Sequence, residues 1–198
     1  MAVIRKPAVA GRFYPDDAGE LRAAVQGYLN EARMRVPSDG EMGQPKGIIA
    51  PHAGYVYSGP IAASGYAQLE PFRDAINRVV LLGPSHYVHV RGLAACHADI
   101  FETPLGAIPV DTPVIEQLIA LPQVDWHDGA HSREHSLEVH LPFLQEVLRE
   151  FRLIPLAVGD ATPTQVAEVV DFLWGGDGTL FVGRSALSPL PASGTATG

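Results

Sequence analysis

A chain of 198 residues, 46% apolar and 18% charged, is long enough for one domain with a sizeable core and gives no reason to expect two. Its formal net charge of −8 argues against nucleic acid or an anionic membrane as the main partner, since neither is attracted to such a surface, while a cation or metal ion stays allowed. One cysteine, Cys96, excludes an intrachain disulfide. An amino terminus without the apolar core of a signal peptide, and no run of membrane-spanning length, read as a soluble cytoplasmic protein.

Residues 3–15 read as an extended arm stopped by Pro15, and Asp16 and Asp17 provide an N-cap for a helix over 18–35, with Leu21, Val25, Tyr28 and Leu29 on one face. Residues 37–45 are loop-like in composition. The short apolar run Gly47-Ile48-Ile49-Ala50 reads as a strand, and Gly59-Pro60-Ile61 opens a helix over 60–69 that Pro71 ends. Strands over 78–82 and 93–100 come next, then a turn and a short edge strand in FETPLGAIPVD, where Pro104 and Pro109 forbid a central position. Pro113 favours a helix over 112–120 at its first turn. Residues 127–150 carry a helical pattern with Leu137, Leu141, Leu144 and Leu148 on one face and a kink or break at Pro142. Strand 152–160, helix 163–174 and strand 179–183 complete two more β-α units. Strands alternating with helices throughout predict a three-layer α/β/α sandwich with a mixed, mainly parallel sheet. The last residues, 184–198, are an aberrant tail without the composition of a packed element.

All eight histidines fall between residues 52 and 140, which is what a site would give. His52 and His86 each come directly after a buried-strand pattern closed by Gly or Pro, in IIAPHAGYVYSG and VVLLGPSHY. That places both beyond the carboxyl ends of strands, the edge of an α/β sheet where ligands bind. Two hydrogen-bonded loop residues, or a metal or acid/base site, are both consistent with this. Farther on, Glu134 and Glu138 lie one helical turn apart, with His135 and Glu138 on neighbouring surface. They read either as a metal-binding or proton-sharing group or as a solvated helix face with a charge pair. The spacing is not His-Glu-x-x-His, so a zincin pattern is absent. Cys96, inside LAACHADI, reads as a buried strand thiol.

PAVAGRFYP, APHAGYVYSG, LLGPSHY, FETPLGAIPVD, EHSLEVHLPFLQ and TLFV, in this order from residue 5 to about residue 182, together resemble the Memo family, also known as protein B of the bacterial AmmeMemoRadiSam system. The resemblance implies a fold similar to the LigB-like class III extradiol dioxygenases, with His52 and His86 at metal-ligand positions. It also implies that Glu134, His135 and Glu138 orient the site. Memo proteins carry a late cysteine as a third ligand, and two imidazoles with a thiolate suit iron or copper. A peptide or protein partner and the other AmmeMemoRadiSam components are the partners it implies.

The chain departs from the family after TLFV, where Ala186 and Pro189 stand for an Asp and a His of the family pattern, and no late cysteine comes after them. Pro189-Leu190-Pro191-Ala192 can be encoded CCA CTA CCT GCC, which read one base onward gives His-Tyr-Leu-Pro, the family's continuation. A shift of frame near Ser188, by an inserted base or an error in the read, is therefore expected, and, however the tail arose, so are an exposed sheet edge and a weakly held metal. The functional expectation is a metal-linked redox role in the complete form, impaired in this chain. The alternatives are a non-catalytic peptide- or protein-binding module using the same crevice and a metal-dependent hydrolase.

Overall fold

The computed structural model describes residues 2–35 and 43–184. In chain order the elements are β1 (Ile4–Arg5), α1 (Ala18–Arg33), β2 (Gly47–Ala50), α2 (Tyr55–Tyr66), a 3-10 turn (Ala67–Phe72), β3 (Arg78–Pro84), β4 (Leu93–Ala95), β5 (Ile100–Thr103) and β6 (Gly106–Pro109). Beyond them come α3 (Thr112–Leu118), β7 (Val124–Trp126), α4 (Asp128–Ser132), α5 (His135–Glu138), α6 (Leu141–Val147), β8 (Arg152–Val158), α7 (Pro163–Leu173) and β9 (Thr179–Arg184). Helices and strands interleave as expected, and the architecture is α/β with mixed sheets, consistent with three α/β/α layers. The expected tail from residue 185 onward, with Ala186 and Pro189, lies outside the described residues, as does part of the expected 37–45 loop.

A six-stranded sheet in the order β2-β9-β3-β8-β4-β7 carries the core. β3 and β8 pair in parallel along seven residues each, and Val79, Val80, Leu81, Leu153, Ile154 and Leu156 are fully buried, which explains their unbroken apolar runs. β2, β9, β3 and β8 are mutually parallel, and among the described residues the sole antiparallel join of this sheet is β8 to β4. A second, three-stranded sheet, β1-β5-β6, ties the N-terminal arm to the FETPLGAIP hairpin. In it β6, with its terminal Pro109, takes an edge, as the prolines require.

Four differences from the sequence reading have physical causes. α2 begins at Tyr55 rather than Pro60, because Gly54 caps it, the Phe13 carbonyl accepts the Tyr55 N–H at 2.8 Å and Ser58 Oγ donates to the Ala53 carbonyl at 2.7 Å. Pro60 is tolerated inside this helix because the carbonyl it cannot reach belongs to Val56, which faces solvent. The stretch expected as one strand over 93–100 ends as β4 at Ala95, and of its remaining residues only Ile100 is in a strand, opening β5, which pairs with β1 in the other sheet. β7 has no counterpart in the sequence reading; its three residues gain their strand character by pairing with β4. The helical pattern over 127–150 is realised as three short helices, α4, α5 and α6, that keep Leu137, Leu141, Leu144 and Leu148 buried while the chain changes direction between them.

α1 and α2 pack together through Gly59, where a methyl group would lie 2.6 Å from the Tyr28 ring. α1 is capped by Asp17, whose carboxylate accepts from the Gly19 and Glu20 N–H groups at 2.8 and 2.9 Å. Among the described residues β2 has a strand neighbour on one side only, β9. Ile49 of β2 and Val56, Tyr57 and Ile61 of α2 are all exposed. Among the described residues no helix is long and apolar enough to cross a membrane.

Candidate metal centre

The parallel arrangement of β2 and β3, with β9 between them, puts their carboxyl ends on one edge of the sheet. His52 lies two residues beyond Ala50, and His86 two residues beyond Pro84. The expected edge thus gathers both histidines, with ring centroids 5.4 Å apart. α5 closes on them because Gly83 has no side chain. A methyl group there would come within 2.6 Å of Ser136 Oγ and 2.9 Å of Leu137 Cδ2. Ser136 Oγ also donates to the Pro84 carbonyl at 2.8 Å, stitching α5 to the end of β3.

This contact delivers a third imidazole. His135 lies with its ring centroid 4.6 Å from that of His86 and 5.6 Å from that of His52. One ligand atom from each of the three falls within 4.8 Å of the others. Donors about 2.1 Å from a shared ion sit at most about 4.2 Å apart, so small side-chain rotations suffice for ligation. Phe13 packs on the His135 ring at 4.7 Å, and the Tyr87 hydroxyl lies 3.5 Å from its Nδ1.

Glu134 binds the loops together. It caps α5, with Oε1 accepting from the Ser136 N–H at 2.9 Å, while Oε2 accepts from the His86 N–H at 2.6 Å. His86 Nδ1 is 2.8 Å from Oε1 and His135 Nδ1 is 3.4 Å from the same oxygen. Burial on its own would raise the carboxyl's pKa. The hydrogen bonds from the His86 side chain and backbone and from the Ser136 N–H outweigh burial and hold it below the usual carboxylate range. An ionised Glu134 can only accept, so His86 Nδ1 carries the hydrogen and Nε2 presents a lone pair.

Glu138 stands elsewhere. Its carboxylate takes hydrogen bonds from the Ala8 N–H at 2.8 Å and the Val9 N–H at 3.0 Å, from the Tyr14 hydroxyl and from the Arg5 guanidinium. Burial first, and then the neighbouring Glu138 carboxylate, push the Tyr14 hydroxyl well above its ordinary pKa, so it remains a donor. Arg5 also donates to the His131 and Glu134 carbonyls at 3.1 and 2.9 Å. Of the residues singled out in the sequence, His52, His86, His135 and Glu134 meet, and Glu138 instead fastens the arm. Arg5 and Tyr14 escaped the sequence reading. A cation and a phenol flanking the apolar PAVAG stretch were the available signal. Cys96 is buried as expected but lies one residue beyond β4 rather than in the strand, and burial pushes its thiol up to about 11, in keeping with an unreactive thiol.

Residues 5–175 match the family model described as "Memo-like protein". The chain belongs to the Memo family. It is 35% identical over 175 residues to a MEMO1 family protein of Thermotoga sp. (strain RQ2), covering 85% of this chain and 63% of that protein. Against a MEMO1 family protein of Methanothermobacter thermautotrophicus the identity is 37% over 176 residues, 85% of this chain and 62% of the relative. With one of Ignicoccus hospitalis it is 38% over 168 residues, covering 82% and 59%. The matched part of this Memo-family chain therefore spans about three fifths of the length of these relatives. The three imidazoles and Glu134 all lie within the matched region.

Proposed function

We propose that this Memo-family chain holds a first-row transition metal, iron or copper, through His52, His86 and His135, and that its role is metal-linked redox chemistry at the carboxyl edge of the sheet. The observation that carries this reading is the meeting of three imidazoles within 4.8 Å on three separate segments, around one buried carboxylate. Imidazole suits iron, copper, nickel and zinc alike, and three donors leave further positions open on an ion that supplies a redox couple when bound.

The chain's own residues have separable tasks. Glu134 holds the hydrogen on His86 Nδ1 and turns Nε2 outward. Ser136 and Gly83 fix the distance between α5 and β3, and so between His135 and His86. Phe13 walls the His135 ring, and the exposed Tyr87 offers a hydroxyl beside it. The third imidazole changes the expectation drawn from the two histidine loops alone, because a tridentate set retains an ion more firmly than a pair.

The test is metal retention by the full chain. After loading with Fe(II) under anaerobic conditions or with Cu(II), and dialysis against a weak chelator, close to one ion per chain is expected by plasma mass spectrometry. His52→Ala, His86→Ala and His135→Ala should each lower affinity by more than the roughly 10–100-fold that loss of an outer partner costs. Wild-type chain that keeps neither ion, or a His135→Ala variant that keeps it as well as wild type, would overturn the three-imidazole reading. The first of these outcomes would leave the crevice as a peptide- or protein-binding surface.

A further inference from the structure

At the amino ends of β3 and β8, across the sheet from the three imidazoles, lies a cleft of about 650 Å³. Leu105 and Pro109 of the β5–β6 hairpin line it, as do Phe151 and Arg152 at the entry to β8. Arg78 and Arg152 open the two strands at paired positions of a parallel register, so their side chains leave the same face of the sheet. Both line the cleft. Two like charges on neighbouring strands repel, and only one of the two is answered. Arg78 Nε donates to Asp111 Oδ2 at 2.9 Å. Arg152 is exposed and forms no ion pair among the described residues.

Most of the side-chain acceptors along the cleft are already engaged. Glu146 accepts from Arg22 Nε at 3.0 Å and from Gln26 Nε2 at 2.7 Å, and Gln145 Oε1 accepts from the Thr103 hydroxyl at 2.6 Å. Arg149, which also lines the cleft, is held by Asp74 at 2.9 Å. Glu150 is exposed and, among the described residues, is the one lining carboxylate without an ion pair. Arg22, Arg78 and Arg149 all use Nε in their pairs, and a guanidinium carries five N–H donors. Guanidinium N–H groups therefore outnumber the carboxylate oxygens around the cleft, and the Arg152 fork is wholly uncommitted.

We propose that this cleft binds a small organic monocarboxylate, whose two oxygens take parallel hydrogen bonds from the Arg152 fork while its apolar body lies against Leu105, Pro109 and Phe151. A planar carboxylate matches a guanidinium in shape as well as in charge. One negative charge answers the one cation left without a partner, and Glu150 opposes a second, which disfavours a phosphate dianion. The hairpin and Phe151 give an apolar body somewhere to go, which an inorganic ion would leave unused. The volume is that of a small-molecule site. The proposal is independent of the metal reading, since none of the three imidazoles lines this cleft.

The probe pair is benzoate and benzamide, which match in shape while only benzoate is charged. The full chain is labelled at arginine nitrogens and freed of metal by a chelator, so that no carboxylate can be held by an ion at the imidazoles. Benzoate should shift the Arg152 guanidinium signal saturably, and benzamide should bind at least about tenfold more weakly. Arg152→Gln should lower benzoate affinity at least about tenfold. Arg35→Gln removes the same charge from an exposed position outside the cleft and should leave it unchanged. Should Arg152→Gln fail to fold, the ratio of benzoate to benzamide binding on the wild-type chain still decides. Equal binding of the two probes would overturn the proposal, as would an equal loss in Arg152→Gln and Arg35→Gln. So would displacement of benzoate by an equal concentration of inorganic phosphate, which would mark a site for an inorganic anion.

Discussion

Glu134 and Glu138 sit at the two ends of one short helical turn, 1% and 0% exposed, and serve opposite sides of the molecule. Glu134 takes its hydrogen bonds from the His86 loop and from the cap of its own helix. Glu138 takes all of its own from the N-terminal arm. The difference lies in where the chain turns. α5 is a single turn wedged between the end of β3 and the arm, so its first carboxylate meets imidazoles and its last meets a guanidinium and two backbone amides. Two acidic residues of one motif therefore divide into one that aims a site and one that holds the fold around it.

The largest effect that would sharpen this division is the loss of Glu138. Glu138→Ala strands the buried Arg5 guanidinium, two N–H groups and the Tyr14 hydroxyl, and should destabilise the chain by about 3–5 kcal/mol, read as a drop in the denaturant midpoint. A loss below about 1 kcal/mol would break the comparison, because Glu138 would then hold nothing.

Acid should attack the same side. His131 is kept neutral in the folded chain, with its pKa lowered by burial from 6.5 to about 4, against an opposing contribution from its bond to the Ala94 carbonyl. Arg5 lowers it further, and Asp128 and Glu134 raise it. Below pH 6.5 the unfolded chain takes up a proton that the folded chain refuses. Its contribution to stability is therefore complete above pH 6.5 and is lost as pH falls toward 4, by up to about 1.4 kcal/mol per pH unit and about 3 kcal/mol in all. Denaturant unfolding across that window should show the slope in wild type and a flatter one in His131→Phe.

On the other side, Glu134→Gln should leave the fold far less disturbed than Glu138→Ala and register in the site. The amide keeps one acceptor for the His86 N–H but no longer holds the hydrogen firmly on Nδ1. Metal affinity should fall about 10–100-fold, measured by competition with a chelator. If affinity stays within about threefold of wild type, Glu134 does not aim the imidazoles, and the two carboxylates differ less than their contacts imply.

One half of this division is legible in the sequence. His52 and His86 are readable because two buried strands closed by Gly or Pro deliver the loops after them to one sheet edge, and the parallel pairing puts them there. His135 as a third donor is hidden. Read as one continuous helix, EHSLE sets Glu134, His135 and Glu138 on a shared surface, whereas the structure breaks the helix on either side of α5 and sends the two carboxylates apart. The partners of Glu138 lie about 130 residues away in sequence, a separation over which periodicity carries no information. The interior of the fold is plain for the opposite reason. After the arginine that opens each of them, β3 and β8 carry no polar side chain, and Val79–Leu81 and Leu153–Ala157 are buried without a break, so nothing confuses the pattern.

The smallest expected effect on folding concerns β2, which among the described residues is an edge strand of the sheet. Ile49 is 74% exposed on β2, and Val56 and Tyr57 are 84% and 82% exposed on α2, which packs against it. None of the three touches either carboxylate's network. Ile49→Lys with Tyr57→Lys should change folding stability by no more than about 0.5 kcal/mol, yet reduce concentration-dependent association seen by light scattering, because charge on an edge strand opposes pairing with another chain. Should the double variant instead lose several kcal/mol, those side chains would be supporting the His52 loop between them, and the separation of site from scaffold drawn at α5 would not extend to β2.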